Sequence, residues 1–286
     1  MKKLLYTVLV LLTLSTQSYA LWSDTLSGCW SMNESAGSTR VDSIGGFNAT
    51  DSGTVGSVAG VVGNAASFSG DNSLKLQTTA GMTTNLHFNA AHSIAFWIHP
   101  TSFVGGTGHL YIANDSNAGG YYFQIFIHMP EKTLEADNAG GFGCVNASST
   151  VLSVNTTYFV ALTDAGGTNN CILYINAVSD NTVSSSFPSE AEADKFAFGR
   201  KAATTGNPFY GWIDEMMTFT SALSSGDVST IYNSGAGQAC VAANKVKHRS
   251  RILKLQQQDL GIRYAAWQLE RLLLPRIVLD GRISTR

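Results

Sequence analysis

Between residues 65 and 219 the chain is a series of short apolar stretches of strand length. They run Ala65 to Phe68, Ser93 to Ile98, Leu110 to Ala113, Tyr121 to His128, Tyr158 to Thr163, Cys171 to Asn176 and Gly211 to Phe219. Gly, Asn, Asp or Pro bounds each of them, as in Gly105-Gly106, Gly119-Gly120, Gly140-Gly141 and Gly166-Gly167. Stretches this short cannot carry a helical period, and turns this frequent leave no room for crossover helices. The pattern predicts an all-β fold, a two-sheet antiparallel sandwich or jelly roll. One helix breaks it: Ser224 and Asp227 resemble a capping box, Val228, Ile231 and Tyr232 fall on one face, and Gly235 stands where a helix stops.

Both ends differ from this middle. Lys2 and Lys3, the apolar run Leu4 to Leu14 and Ser18-Tyr19-Ala20 read as an export signal over residues 1–20. The next stretch, 21–242, reads as the sandwich, and 243–286 as a basic tail, helical or disordered. Residues 21 to 244 hold seventeen acidic and six basic residues, a net charge of −11, whereas 245 to 286 hold ten basic and three acidic residues, a net of +7. In the tail, Ile252 to Leu274 suits a helix ended by Pro275, with Ile252, Leu255, Leu260, Tyr264, Trp267 and Leu272 as a loose apolar stripe. A segment of this kind is an appendage or a contact to an acidic surface. Four cysteines in an exported chain favour disulfides, and they allow three pairings. Cys29–Cys240 with Cys144–Cys171 is preferred: the first ties the opening strand to the end of the domain, the second links two neighbouring central strands. Zinc is the competing reading, and no close Cys pair or Cys/His cluster supports it.

The order of motifs resembles the laminin-G-like modules of the concanavalin A-like lectin/glucanase superfamily. Cys29-Trp30-Ser31-Met32-Asn33-Glu34-Ser35 looks like that family's first strand and following loop. Val41-Asp42-Ser43 resembles its Asp-Ser-Gly turn, and Gly63 to Gly70 and Ser93 to Pro100 resemble two inner strands. Cys171 to Asn176, Gly211 to Met216 and Ala222-Leu223-Ser224 complete the match over most of residues 27 to 238. The resemblance implies two packed antiparallel sheets and a structural calcium ion near the loop edge. Asp42, Asp214 and Glu34 are the expected ligands, because calcium needs several hard oxygens.

Sugar binding on such sandwiches uses aromatic faces with polar side chains at their rim. Tyr121, Tyr210 and Trp212 are the candidates. Catalysis is not expected. Laminarinase-like relatives carry Glu-x-Asp-x-x-Glu; here Glu135-Ala136-Asp137 begins that pattern and Gly140 ends it, and Glu192-Ala193-Asp194 ends at Ala197. Gln124 and His128 stand four apart, where the alginate-lyase strand motif has its Gln and His two apart. Six basic residues on the sandwich also argue against nucleic acid or heparin as its ligand. The expected function is therefore a secreted or cell-surface recognition module for extracellular polysaccharide or a surface glycoprotein, and not an enzyme. A protein-binding adhesive or structural component is the alternative, ahead of a polysaccharide-active enzyme.

Overall fold

A computed structural model describes residues 22–79, 90–104, 108–116, 123–137, 143–145, 147–166, 171–183, 195–201 and 206–240. Residues 1–20 and 243–286, read from the sequence as an export signal and a basic tail, lie outside the described residues, as does Tyr121. Among the described residues, a short helix, α1 (Trp22–Thr25), precedes fifteen strands in two antiparallel sheets, and a second helix, α2 (Ser225–Tyr232), follows them. The eight-stranded sheet is ordered β13 (Val178–Val183), β12 (Cys171–Ile175), β11 (Tyr158–Asp164), β6 (His92–Pro100), β15 (Tyr210–Phe219), β4 (Asn64–Ser69) and β3 (Gly56–Ala59), with β1 (Leu26–Trp30) also paired to β15. The seven-stranded sheet is ordered β10 (Gly143–Val145), β9 (Thr133–Asp137), β8 (Gln124–Met129), β7 (Gly108–Ser116), β14 (Lys195–Phe198), β5 (Lys75–Thr78) and β2 (Ala49–Ser52). The expected all-β sandwich with one short closing helix is what forms.

Strand alternation decides which side chains meet. On β6, Ile94, Phe96 and Ile98 enter the core between the sheets, while Ala95 and Trp97 point the other way, into a second apolar layer. β11 repeats this: Tyr158, Val160 and Leu162 face inward, Phe159 and Ala161 outward. Both strands are buried on both faces, which is why they read as continuous apolar runs. The second layer is closed by Val228 and Ile231 of α2. The capping box forms as expected, with Ser224 Oγ accepting from the Asp227 amide and Asp227 Oδ2 accepting from the Ser224 amide, both at 3.1 Å. The α-helix gives way at Asn233, whose φ is 50°, to a 3-10 turn, Asn233–Gly235, and the helical segment ends at Gly235 as expected.

Both expected disulfides are present, Cys29–Cys240 and Cys144–Cys171. One detail differs. Cys144 lies on the edge strand β10 of one sheet and Cys171 on β12 of the other, so this bond staples the two sheets together instead of joining neighbouring strands of one sheet.

Candidate functional site

The outer face of the seven-stranded sheet is built from three strands whose inner faces are fully apolar. On β7, β8 and β9 the core takes Leu110, Ile112, Ile125, Ile127, Leu134 and Ala136. Alternation then turns His109, Tyr111, Gln124, Phe126, His128, Glu135 and Asp137 outward together. Register brings them side by side: His109 pairs with His128, Tyr111 with Phe126, Phe126 with Glu135, and Gln124 with Asp137. Phe126 is 1% exposed and forms the floor, with the His109 ring stacked on it at 4.0 Å. Above that floor His128 Nδ1 meets Glu135 Oε1 at 2.9 Å, and Gln124 Nε2 donates to Asp137 Oδ1 at 3.2 Å. The Lys201 ammonium stands over the Tyr111 ring at 5.4 Å. His109 also lines a cavity of about 220 Å³ with Asn72, Asn207, Pro208, Met129 and Tyr210.

This face is polar and yet partly dry. Burial pushes the Asp137 carboxyl up to about 6, against the opposing pull of Lys201 and of its bond from Gln124. Burial also raises Glu135, opposed by His128, and lowers His109, assisted by the positive charges of His128 and Lys201. Gln124 is 5% exposed, and its Oε1 has no hydrogen-bond partner among the described residues. A desolvated acceptor without a donor costs stability unless something else supplies one. The arrangement offers imidazole faces, carboxylates and an amide at one surface, which suits a ligand with both apolar faces and many hydroxyls.

The residues singled out from the sequence are dispersed. Tyr210 lines the cavity beside His109. Trp212 belongs to the opposite, helix-covered side, where its ring stacks on His99 at 5.0 Å. Asp42 caps a turn: its Oδ1 accepts from the amides of Cys29, Ile44 and Gly45, and its Oδ2 from Phe47, at 2.9–3.0 Å. Glu34 accepts from the Val41 amide at 2.8 Å, with Oε2 at 3.9 Å from Arg40 Nε. Asp214 Oδ2 accepts from the amides of Val61 and Val62. Among the described residues no three His, Cys, Asp or Glu side chains converge as a metal requires. Amide N–H groups point their positive ends at the carboxylates of Asp42 and Asp214, so this arrangement does not fit a calcium ion held by Asp42, Asp214 and Glu34 together.

The residues that do converge were visible in the sequence only as broken catalytic motifs. Glu135-x-Asp137 and Gln124-x-x-x-His128 each fail as a one-strand signature; the sheet unites them across strands. The available signal was the alternation itself. Residues 124–128 and 133–137 each place apolar residues on one parity and chemically active ones on the other.

Solved structures of the same fold include domain 4 of a GH43 extracellular arabinanase from Geobacillus stearothermophilus, in complex with arabinotriose. It is 18% identical, with a TM-score of 0.55 over 75% of this chain and 98% of that one. Trypanosoma rangeli sialidase in complex with sialic acid is 13% identical, with a TM-score of 0.57 over 75% of this chain and 34% of that one. Botulinum neurotoxin type C, whose cell entry depends upon interaction with two ganglioside molecules, is 19% identical, with a TM-score of 0.56 over 74% of this chain and 51% of that one. The chain thus spans about a third of the sialidase and half of the toxin. Curated protein sequences contain no match. The expectation that the chain is not an enzyme does not stand: an arabinanase and a sialidase contain this fold, so the fold does not separate recognition from glycoside hydrolysis. The broken motifs misled because the absence of one enzyme group's carboxylate spacing does not exclude glycoside hydrolysis by another arrangement. A family model matches residues 68–229, more than half of the 286-residue chain, and the chain belongs to the concanavalin A-like lectin/glucanases superfamily.

Proposed function

We propose that the chain is an exported recognition module whose seven-stranded sheet binds glycan on its outer face. The observation that carries this is the polar, half-buried row of His109, His128, Glu135, Asp137 and Gln124 laid over Phe126. A face with only a structural role is either hydrated and charged or apolar and covered. This one keeps polar groups in a place where their charge is costly, as the carboxyl of Asp137 at about 6 records. Sugar rings present C–H faces to imidazoles and hydroxyls to carboxylates and amides, so they match both halves of the surface. A domain of the same fold was solved with arabinotriose, which supports the same class of partner. Export fits the two disulfides, which persist in oxidising compartments.

The test is a glycan array probed with the mature chain and with His109→Ala and Gln124→Ala. Binding should fall about tenfold in the first, equivalent to about 1.4 kcal/mol, and by less in the second, with both variants folded by circular dichroism. A silent array, or binding that both variants retain in full, would overturn the reading.

A second reading rests on the two carboxyl groups of β9, Glu135 and Asp137, which face the same side with raised pKa values. Glycoside hydrolysis needs one carboxyl kept protonated beside one that is ionised. If the face hydrolyses what it binds, reducing ends appear from a polysaccharide panel and vanish in both Glu135→Gln and Asp137→Asn. Absence of release across the panel disposes of it.

A further inference from the structure

The sandwich has only six basic residues against seventeen acidic ones, and the fold gathers four of the six. Lys75 on β5 and Lys195 on β14 alternate with Leu76 and Phe196, which are in the core between the sheets. Both lysines therefore stand on the same outer face as His109 and Asp137. Arg200 and Lys201 follow β14 directly. Arg200 is 6% exposed; its guanidinium donates to the Asn72 carbonyl, and its Nε is buried with no hydrogen-bond partner among the described residues. Lys201 reaches over Tyr111 toward the site. Among the described residues, Asp71 acts on Arg200 and Asp137 on Lys201.

Placing these cations together is unfavourable in itself. Burial, followed by the charges of Arg200 and Lys195, holds the Lys75 ammonium below its usual range. The domain carries seventeen acidic residues, yet Lys75 stands close enough to Arg200 and Lys195 for their charges to act on it. Toward β9 the face is more acidic: Glu131, Glu135 and Asp137 lie on or beside that strand, Asp137 reaching Lys201, while Lys132, next to Glu131, stands over the Phe103 ring. The surface is thus polarised from β9 to β5 across the histidine row.

We infer that the glycan taken by this face is an acidic one, with its carboxylate or sulfate seated on Lys75, Lys195 and Lys201, Arg200 reinforcing the charge from beneath, and its rings over His109 and His128. This rests on the glycan reading above and adds the substrate class and the direction in which the chain lies. The polarity orients the ligand, because an acidic group at the β9 end would meet carboxylates. Lysines suit the role, since an ammonium is a compact charge that either anion can approach from many directions.

The experiment is calorimetric titration of the full mature chain with matched pairs: sialyllactose against lactose, and polygalacturonate against its methyl ester. Each is repeated with the double variant Lys75→Gln/Lys195→Gln, in which the basic tail is intact. The acidic member of a pair should bind at least about tenfold more tightly, lose that advantage as salt rises from 0.05 to about 0.5 M, and lose it in the double variant while the neutral member is unaffected. Equal binding of acidic and neutral members overturns the inference and leaves the glycan reading standing. An acidic preference that survives in the double variant also overturns it, because the anion then sits elsewhere on the chain. Binding to neither member of either pair brings down both.

Discussion

The two sheets use the same alternation to opposite ends. On the eight-stranded sheet the outward residues are Ala95, Trp97, Phe159, Ala161, Met217 and Phe219, and α2 lies over them with Val228, Ile231 and Tyr232. On the seven-stranded sheet the outward residues are His109, Gln124, His128, Glu135 and Asp137, and among the described residues no helix covers them. One face has become a second core, while the other keeps its titratable groups half-buried.

The two disulfides divide between these regions, and they make the first and largest test. Cys29–Cys240 closes the helix-covered side across 211 residues of chain; Cys144–Cys171 staples the edge of the other sheet across only 27. Loop-closure entropy predicts a loss of about 5 kcal/mol for Cys29→Ala/Cys240→Ala and about 3–4 kcal/mol for Cys144→Ala/Cys171→Ala. Urea unfolding of the two double variants measures both. A larger loss from the second pair would mean that the half-open sheet depends on its staple more than the covered one depends on its clasp.

Somewhat smaller effects separate packing from recognition. Trp97 is 3% exposed, packed on Phe159 at 5.1 Å and stacked on Tyr232 at 5.6 Å. Trp97→Ala should cost about 3–5 kcal/mol of stability and leave glycan affinity of the folded fraction unchanged. His109→Ala should do the reverse, losing about 1 kcal/mol or less of stability, as a partly exposed side chain does, and most of the binding. Thermal melts and the array measure the two quantities on the same samples. If Trp97→Ala weakens binding as much as His109→Ala does, the faces are coupled and the division is wrong.

How far the sequence reached follows from the same contrast. The sandwich and its closing helix were legible because each has a local signature, turn-bounded apolar runs and a capping box; the even cysteine count pointed to disulfides, and their pairing followed from where the cysteines fall among the expected strands. Strands β6 and β11 stood out because both of their faces are apolar. The site was not legible, since it exists only through pairing. His109 and Asp137 lie 28 residues apart in sequence and meet on one face through the registers of β7, β8 and β9. Lys75 and Lys201 are further apart still, and a count of six basic residues says nothing about where they gather. The single residues named from the sequence are scattered for a related reason: Tyr210 lines the cavity beside His109, Trp212 lies on the helix-covered side, and the Asp42 carboxylate accepts from four amides.

The smallest effect sharpens the contrast most, because both regions hold buried acids with different consequences. Asp214 and Glu215 lie at a bulge of β15, the point where the strand's free edge passes from β4 to β1. Both are fully buried, each has one oxygen without a partner among the described residues, and Glu215 takes a φ of 48° there. Burial pushes Asp214 to about 6 and Glu215 to about 8, the latter raised further by the charge of Asp214. Their ordinary values are 3.8 and 4.5, so across the interval up to about 8 the folded chain holds protons that the unfolded chain has released. Stability contributed by the protonated forms is complete below pH 4 and is lost as pH rises through 6 and then 8. Glu215→Gln keeps an acceptor for the Cys240 amide and removes the charge. It should raise stability by on the order of 2 kcal/mol at pH 9 and change little at pH 4, read from unfolding curves at both values. Asp137→Asn, on the half-open face, should flatten the stability profile far less and instead shift the pH dependence of glycan binding around 6, where Asp137 titrates. Should Asp137→Asn flatten stability as much as Glu215→Gln, Asp137 would be a structural acid like Glu215, and the outer face of the seven-stranded sheet would lose its claim to a different role.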